Sequence, residues 1–179
     1  MDDGLIPNRY AKALYKAALE KDATKEVYEQ MKHLSKSFVE VPSLQKAVDN
    51  PYLPSKDKEK VLLTAAGAKS QSIYAKFIEL IVKNNRENFI KGMAIAYQSL
   101  YRKENGIAQV EITSAKPLTD TELDKIKKVI TNYENGKVLE FTQKVDSDII
   151  GGFIVKIDSV LLDASIKNEL KKLRLKLLS

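Results

Sequence analysis

The side chains of this sequence that could support acid–base catalysis or metal binding are one histidine, His33, and a small set of aspartates. The chain has no cysteine, which excludes disulfides, thiolate metal ligands and cysteine nucleophiles. His33 falls inside a predicted helix, and no serine and aspartate pattern typical of a catalytic triad accompanies it. A single helical histidine is more often a surface or packing residue than a catalytic one. We therefore predict no catalytic residue.

The clustered aspartates lie at the ends of predicted strands. Aspartate at such positions commonly accepts a hydrogen bond from a backbone N–H, in an Asx-turn or at a helix N-terminus. We interpret these residues as turn and cap residues, and we predict that the protein binds no metal ion and no cofactor. The residues are Asp146, Asp148, Asp158 and Asp163.

The glycine pair Gly151-Gly152 could in principle belong to a phosphate-binding loop. The sequence has neither a GxGxxG nor a GK[ST] motif there, and no predicted helix follows the pair directly. A glycine at the start of a strand more often marks a bulge or the close approach of another backbone segment. We therefore predict crowding at this pair and no phosphate site.

The formal net charge of +6 could indicate nucleic acid as a partner, but the lysines are interleaved with Glu and Asp. The predicted strands also lack exposed aromatics flanked by basic residues, which stack on bases. We predict no nucleic-acid partner, and an RNA-associated two-domain protein is the alternative. The acidic N-terminus does not resemble a signal peptide, and no apolar run approaches the roughly 20 residues that span a bilayer. We expect a cytoplasmic protein that reaches the membrane only through a partner.

The first hundred or so residues carry apolar side chains at the i, i+3, i+4, i+7 spacing of amphipathic helices. Pro7 and Asn8 are predicted to open the first helix, and Ser43 to cap the third. Helices usually end before proline or at asparagine and glycine. These breaks, together with the separate apolar stripes between them, predict about six helices. The breaks lie at Val41-Pro42, Asn50-Pro51, Asn84-Asn85 and Asn105-Gly106.

Beyond Gly106 the pattern changes, because Ala108, Val110 and Ile112 alternate with polar residues as in a half-buried strand. This change predicts two domains, residues 1–105 and 106–179. The predicted fold is mainly α, with an N-terminal six-helix bundle followed by a small α/β C-terminal domain.

The second domain is predicted to contain a helix, further strands and a last helix. Thr119 and Glu122 have the spacing of a capping box, in which the hydroxyl and the carboxylate each accept a hydrogen bond from a free backbone N–H. The segments that follow are separated by turn and cap signals, and the last two strands are predicted to pair as a hairpin. These signals are Asn135-Gly136, Asp158-Ser159 and, for the last helix, Asp163 or Ser165.

The first helix carries Tyr10, Ala13 and Ala17 on one face. Small side chains there leave a shallow groove in which a partner's amphipathic helix could lie, or they allow internal helix packing. The segment with Phe77 and Leu80 is apolar around a wide arc, so it is predicted to be buried on two sides and could border the same groove. Periodicity leaves both interpretations open.

Four segments in this order resemble the ATP synthase delta family, called OSCP in mitochondria. The resemblance covers essentially the whole chain, and the segment with the Gly-Gly step is the most specific. The segments are Arg9-Tyr10-Ala11-Lys12-Ala13-Leu14, Asn50-Pro51 with Lys56 or Lys58, Phe77-Ile78 with Asn84-Asn85-Arg86, and Asp148-Ile149-Ile150-Gly151-Gly152-Phe153 with Asp158.

The resemblance implies a non-catalytic peripheral-stalk subunit that links the F1 catalytic head to the F0 membrane sector of a proton-transporting ATP synthase. It would lie at the cytoplasmic face of the bacterial inner membrane. Its helical domain would bind the N-terminal helix of the alpha subunit, and its C-terminal domain the b-subunit stalk, tentatively through Leu170, Leu173 and Leu177. The residues implied at or near the alpha-binding groove are Tyr10, Ala13, Leu14, Ala17, Phe77, Leu80 and Ile81.

Overall fold

The computed structural model describes residues 4–133, 137–158 and 160–178. The chain divides into two compact units, Met1–Glu104 and Asn105–Ser179. The first unit is a bundle of six helices, with a short 3-10 turn at Glu87–Phe89 before the last of them. The helices are α1 Leu5–Leu19, α2 Thr24–Glu40, α3 Ser43–Asp49, α4 Ser55–Ala66, α5 Ile73–Lys83 and α6 Ile90–Glu104.

Helix α6 forms the centre of the first unit, and α1 and α2 pack against it. Met93 and Tyr97 of α6 and Met31 of α2 are fully buried. Burying side chains of this size contributes roughly 1.5–3 kcal/mol each. The Tyr97 hydroxyl donates a hydrogen bond to the Thr24 carbonyl, with the oxygens 3.1 Å apart. Burial raises the pKa of Tyr97, so the phenol keeps its proton and stays a donor.

The predicted starts of two helices differ from the observed ones. Helix α1 begins at Leu5, ahead of Pro7, and Pro7 lies in the first turn, where its missing N–H needs no partner. The predicted cap at Ser43 is wrong. Ser43 is the first helical residue of α3, Pro42 occupies the N-cap position, and no side chain caps the helix. Proline has a fixed φ close to the helical value, so the chain enters the helix one residue earlier than the serine signal suggests.

The second unit is a four-stranded sheet with the strand order β2-β1-β3-β4. β1 pairs with β2 in parallel, whereas β1 with β3 and β3 with β4 are antiparallel. The parallel pair is joined by the crossover helix α7, as such pairs require. The elements are β1 Ile107–Ser114, α7 Asp120–Tyr133, β2 Val138–Val145, a 3-10 turn Ser147–Ile149, β3 Gly152–Ile157, β4 Val160–Ser165 and α8 Ile166–Leu178.

The core of the second unit lies on one face of this sheet. Its buried residues are Val110, Ile112 and Val155 from the strands and Ile130 from α7, surrounded by partly buried apolar side chains. Helix α7 thus covers one sheet face, which is the usual way to bury a single apolar face. Both units together confirm the predicted fold class.

The predicted hairpin is confirmed, because Ile157 of β3 faces Val160 of β4 in an antiparallel pair. β4 extends as far as Ser165. Ser165 caps α8, since its hydroxyl accepts a hydrogen bond from the Asn168 N–H at 3.2 Å. The predicted signal at Asn135-Gly136 and the Ser159 half of the predicted turn lie outside the described residues.

The predicted capping box at the start of α7 forms only in part. The Glu122 carboxylate accepts a hydrogen bond from the Thr119 N–H at 2.9 Å. The Thr119 hydroxyl, however, donates to the same carboxylate at 2.7 Å instead of accepting from a backbone N–H. The two hydrogen bonds from Thr119 lower the pKa of Glu122, because both favour its charged form.

The predicted crowding at the glycine pair is confirmed. Gly152 has φ of +75°, and a Cβ at this position would collide with the backbone carbonyl oxygen of Ala164. A Cβ at Gly151 would lie 2.7 Å from the Ile166 side chain. The pair therefore lets β3 and β4 meet at the start of α8, which is a packing role.

Within the described ranges, none of the helices combines the length and the apolar character needed to cross a membrane.

One buried ion pair joins α4 to the 3-10 turn before α6. The Lys58 ammonium lies 2.5 Å from a Glu87 carboxylate oxygen, and the two side chains are 8% and 11% exposed. Removing one partner of such a pair leaves an uncompensated buried charge, which is costly. The pair therefore fixes the connection between α5 and α6 against α4.

We predict that Lys58→Met lowers the free energy of unfolding by about 3–5 kcal/mol, because Glu87 loses its countercharge. Urea denaturation followed by circular dichroism measures this change. Lys60→Met is the matched control, since Lys60 forms an exposed pair with Asp57 at 3.9 Å and should cost less than about 1 kcal/mol. Equal, small effects of the two substitutions would contradict the role given to the buried pair.

Candidate functional site

An open groove of about 640 Å³ runs between α1 and α5. Ala13 and Ala17 face the groove and are exposed to solvent, so they do not serve internal helix packing. Of the residues expected at or near it, the structure brings six together along the groove. These six are Tyr10, Ala13, Leu14, Ala17, Phe77 and Leu80.

Helix α1 can line this groove because it carries two neighbouring stripes. The buried stripe is Pro7, Ala11, Leu14 and Ala18, and it holds the helix against the core. Close packing on α6 is possible because a Cβ at Gly92 would lie only 3.1 Å from the Pro7 ring. The other stripe, with its small side chains, is left facing outward.

Helix α5 forms the opposite wall. It starts at a cap formed by Ser72, whose hydroxyl accepts a hydrogen bond from the Ala75 N–H at 3.1 Å. Phe77 is buried with one edge at the groove, whereas Leu80 is 49% exposed beside it. The wide apolar arc of this helix therefore serves both the core and the groove.

Ile81 lies elsewhere than expected. It is fully buried and does not line the groove. Ile81 is separated from Tyr74 and Ile78 by helical spacings, and these two residues are also fully buried. Ile81 therefore belongs to the core-facing side of α5 and not to the side that faces the groove.

Tyr10 lies at one end of the groove and contacts the opposite wall. Its ring meets Phe77 edge to face, with the ring centroids 6.4 Å apart. The Asn84 side-chain amide donates a hydrogen bond to the Tyr10 hydroxyl at 3.2 Å. The Arg86 guanidinium lies 5.8 Å from the centre of the same ring. These contacts hold the part of α1 around Tyr10 against the C-terminal end of α5.

Six further residues line the groove that sequence reasoning did not assign to it. One is apolar, Ile73, which stands one helical turn before Phe77. The others are charged side chains, which a search for apolar stripes overlooks. Among these charged residues, only Arg9 and Arg86 had a sequence signal, because both belong to the segments that resemble the family. The charged residues are Arg9, Glu20, Lys21, Lys76 and Arg86.

The second unit has an apolar surface of its own. None of the described side chains of α8 is buried, and Leu170, Leu173 and Leu177 are all exposed. We call this set of three leucines the α8 surface. Exposed apolar surface of this kind typically marks a place where another protein binds.

His33 and the clustered aspartates are the residues considered for chemistry. His33 is exposed on α2, and the described ranges hold no group of three or more His, Cys, Asp or Glu residues able to bind a metal ion. Asp146 accepts a hydrogen bond from the Asp148 N–H, and Asp158 accepts one from the Gln109 N–H.

Asp163 accepts a hydrogen bond from the Ser165 N–H at 3.0 Å. Hydrogen bonding to Ser165 holds the pKa of the Asp163 carboxyl below its usual range. The interpretation as turn and cap residues is therefore confirmed for Asp146 and Asp163, whereas the Asp158 carboxylate binds the backbone of β1.

An open groove between two helices and a separate leucine-rich surface are features of proteins that bind segments of other proteins. Comparison with known proteins agrees with this class. A family model described as ATP synthase delta (OSCP) subunit matches residues 6–177. The chain belongs to the ATP synthase delta (OSCP) subunit family, as the sequence resemblance predicted.

Individual relatives support this assignment. The ATP synthase subunit delta of Phocaeicola vulgatus is 38% identical, over 96% of this chain and 92% of that protein. The ATP synthase subunit delta of Azobacteroides pseudotrichonymphae is 36% identical, over 97% of this chain and 98% of that one. The match therefore extends over both units.

A chain from the mitochondrial ATP synthase hexamer of Toxoplasma gondii shares the fold, with a TM-score of 0.69, 22% identity and 97% coverage of both chains. As a member of the delta family, the protein is a structural subunit of an ATP synthase and not its catalytic subunit. Family membership favours this interpretation over an RNA-associated protein.

Proposed function

We propose that this subunit belongs to the peripheral stalk and holds the catalytic head of ATP synthase against rotation, so that rotation is coupled to ATP synthesis. Its first unit binds the N-terminal helix of the alpha subunit in the groove between α1 and α5. The observation that carries this proposal is the open apolar groove with Ala13 and Ala17 exposed along it.

The shape of the groove suits a helix. Packed helices lie about 8–10 Å apart, and small side chains at the contact allow the closer distances. Ala13 and Ala17 provide such a contact on α1, while Phe77 and Leu80 provide larger apolar contacts on α5. A partner helix with apolar residues at i, i+3, i+4 and i+7 would place them between these two walls.

The mechanical task requires a contact that dissociates slowly. Torque from the rotating shaft acts on the head, and the residence time of a complex depends mainly on its dissociation rate. Burial of apolar area contributes about 25 cal/mol per Å², so a helix that buries roughly 400 Å² gains about 10 kcal/mol before ordering costs. A folded, preformed groove keeps those costs low on this side of the contact.

The second unit binds the stalk formed by the b subunit, through the α8 surface. Its leucines are exposed, and Lys167, Lys171 and Arg174 occupy other positions of the same helix. Basic residues beside an apolar line favour a partner helix that carries acidic residues. The two partners would thus be held by different units of one chain.

Attachment to the membrane comes through these partners, and we place the subunit at the cytoplasmic face of the bacterial inner membrane. The first unit holds the catalytic head, and the second unit holds the stalk.

We predict that Ala13→Asp and Ala17→Asp each abolish binding of a synthetic peptide with the sequence of the alpha subunit's N-terminus. The substituted carboxylate would be desolvated under the partner helix without a matching charge. Because both alanines are exposed, the thermal unfolding midpoint should stay unchanged. Isothermal titration calorimetry with the full-length chain measures the binding.

Lys12→Asp is the matched control, since Lys12 is exposed on α1 but does not line the groove. It should bind the peptide as the unsubstituted chain does. Undiminished binding by both alanine variants would remove the groove from the proposal.

We predict that Leu173→Asp prevents capture of the b subunit by the full-length chain and leaves the alpha peptide's affinity unchanged. Leu173 is 54% exposed, so the substitution should not unfold α8. Ala17→Asp is the reciprocal control, with b-subunit capture retained and peptide binding lost. Normal b-subunit capture by Leu173→Asp would contradict the role given to the α8 surface.

A further inference from the structure

The charges along the groove between α1 and α5 are strongly unequal. Four cations line it, against the single carboxylate of Glu20. In the part of the chain that the structure describes, none of the four forms an ion pair with a carboxylate within 4.0 Å. The four cations are Arg9, Lys21, Lys76 and Arg86.

The positive charge is greatest at the end marked by Tyr10. Arg9 precedes Tyr10 on α1, and the Arg86 guanidinium lies 5.8 Å from the centre of the Tyr10 ring. A guanidinium over an aromatic face is held in place by a cation–π contact, and its N–H donors stay available. At the other end of α1, Lys21 directly follows Glu20, so the two charges there offset each other.

A helix that enters the groove removes water from these cations. Desolvated charges without a partner oppose binding, whereas opposite charges on the partner favour it and speed association. Arginine also forms bidentate hydrogen bonds with carboxylates, which adds geometric selectivity. A purely apolar helix is therefore a poorer occupant than one with acidic residues placed over Arg9 and Arg86.

We propose that Arg9 and Arg86 determine the specificity of the groove, and that its occupant is an amphipathic helix with acidic residues at the end that lies over Tyr10. This inference rests on the proposed helix-binding function and deepens it. It identifies the occupant by its charge as well as by its apolar face.

The groove also sets the size of this occupant. Arg9 and Lys21 are separated by 12 residue steps along α1 and the turn that follows it, which corresponds to about 18 Å at 1.5 Å per residue. An occupant of roughly three to four helical turns would span that distance. Two carboxylates at i and i+3 or i+4 at one end would then face the two arginines together.

The test uses three synthetic peptides with the same apolar face and with Glu, Gln or Lys at the polar positions of one end. Calorimetry with the full-length chain compares their affinities at low and high salt. We expect the Glu peptide to bind roughly tenfold more tightly than the Gln peptide, and the Lys peptide more weakly than either. High salt should reduce the advantage of the Glu peptide.

The variant with Arg9→Gln and Arg86→Gln together should bind the Glu and Gln peptides equally. Lys12→Gln, on the same helix but outside the groove, should keep the full preference. The variant with Arg9→Glu and Arg86→Glu together should prefer the Lys peptide, and this reversal would not follow from a loss of folding.

The outcomes separate this inference from the proposed function. Equal, salt-independent affinities for the three peptides would overturn the charge selection and leave the groove as a helix-binding site. Failure of all three peptides and of the alpha-subunit peptide to bind would overturn the proposed function, and the charge selection with it.

Discussion

The position of α1 is the constraint on which the site depends. One stripe of this helix, with Ala11 and Ala18, is buried against the core, and α6 accepts it closely because Gly92 leaves room for Pro7. That packing turns the neighbouring stripe, with Ala13 and Ala17, toward solvent beside α5. The groove thus exists because packing on α6 leaves the side chains of Ala13 and Ala17 uncovered beside α5.

The sequence predicts the fold class well, because the apolar periodicity changes sharply at Gly106. Helix breaks at proline and asparagine separate α2 from α3, α3 from α4 and α5 from α6, and alternation marks the first strand of the second unit. The wrong predictions concern hydrogen bonds at the starts of helices, where a hydroxyl side chain has more than one possible partner. Ser43 does not cap α3, and the Thr119 hydroxyl donates to Glu122 instead of capping a backbone N–H.

The site is harder to predict than the fold. Periodicity tells which residues share a helix face, but it does not tell which side of a wide apolar arc meets the core. Ile81 and Leu80 are adjacent, yet one is fully buried and the other lies beside the groove. The charged residues along the groove come together from separate segments, so their unequal charge becomes visible only in three dimensions. Arg9 and Arg86, for example, are 77 positions apart in the sequence, and both line this groove.

The central claim is that the groove between α1 and α5 receives the alpha subunit's N-terminal helix. Amide chemical shifts of the isotopically labelled full-length chain, recorded with and without that peptide, test it most directly. The account predicts that the largest changes map to residues 9–21 and 73–86, the segments that line the groove. Changes confined to α2, α3 and α4 or to the second unit would contradict it.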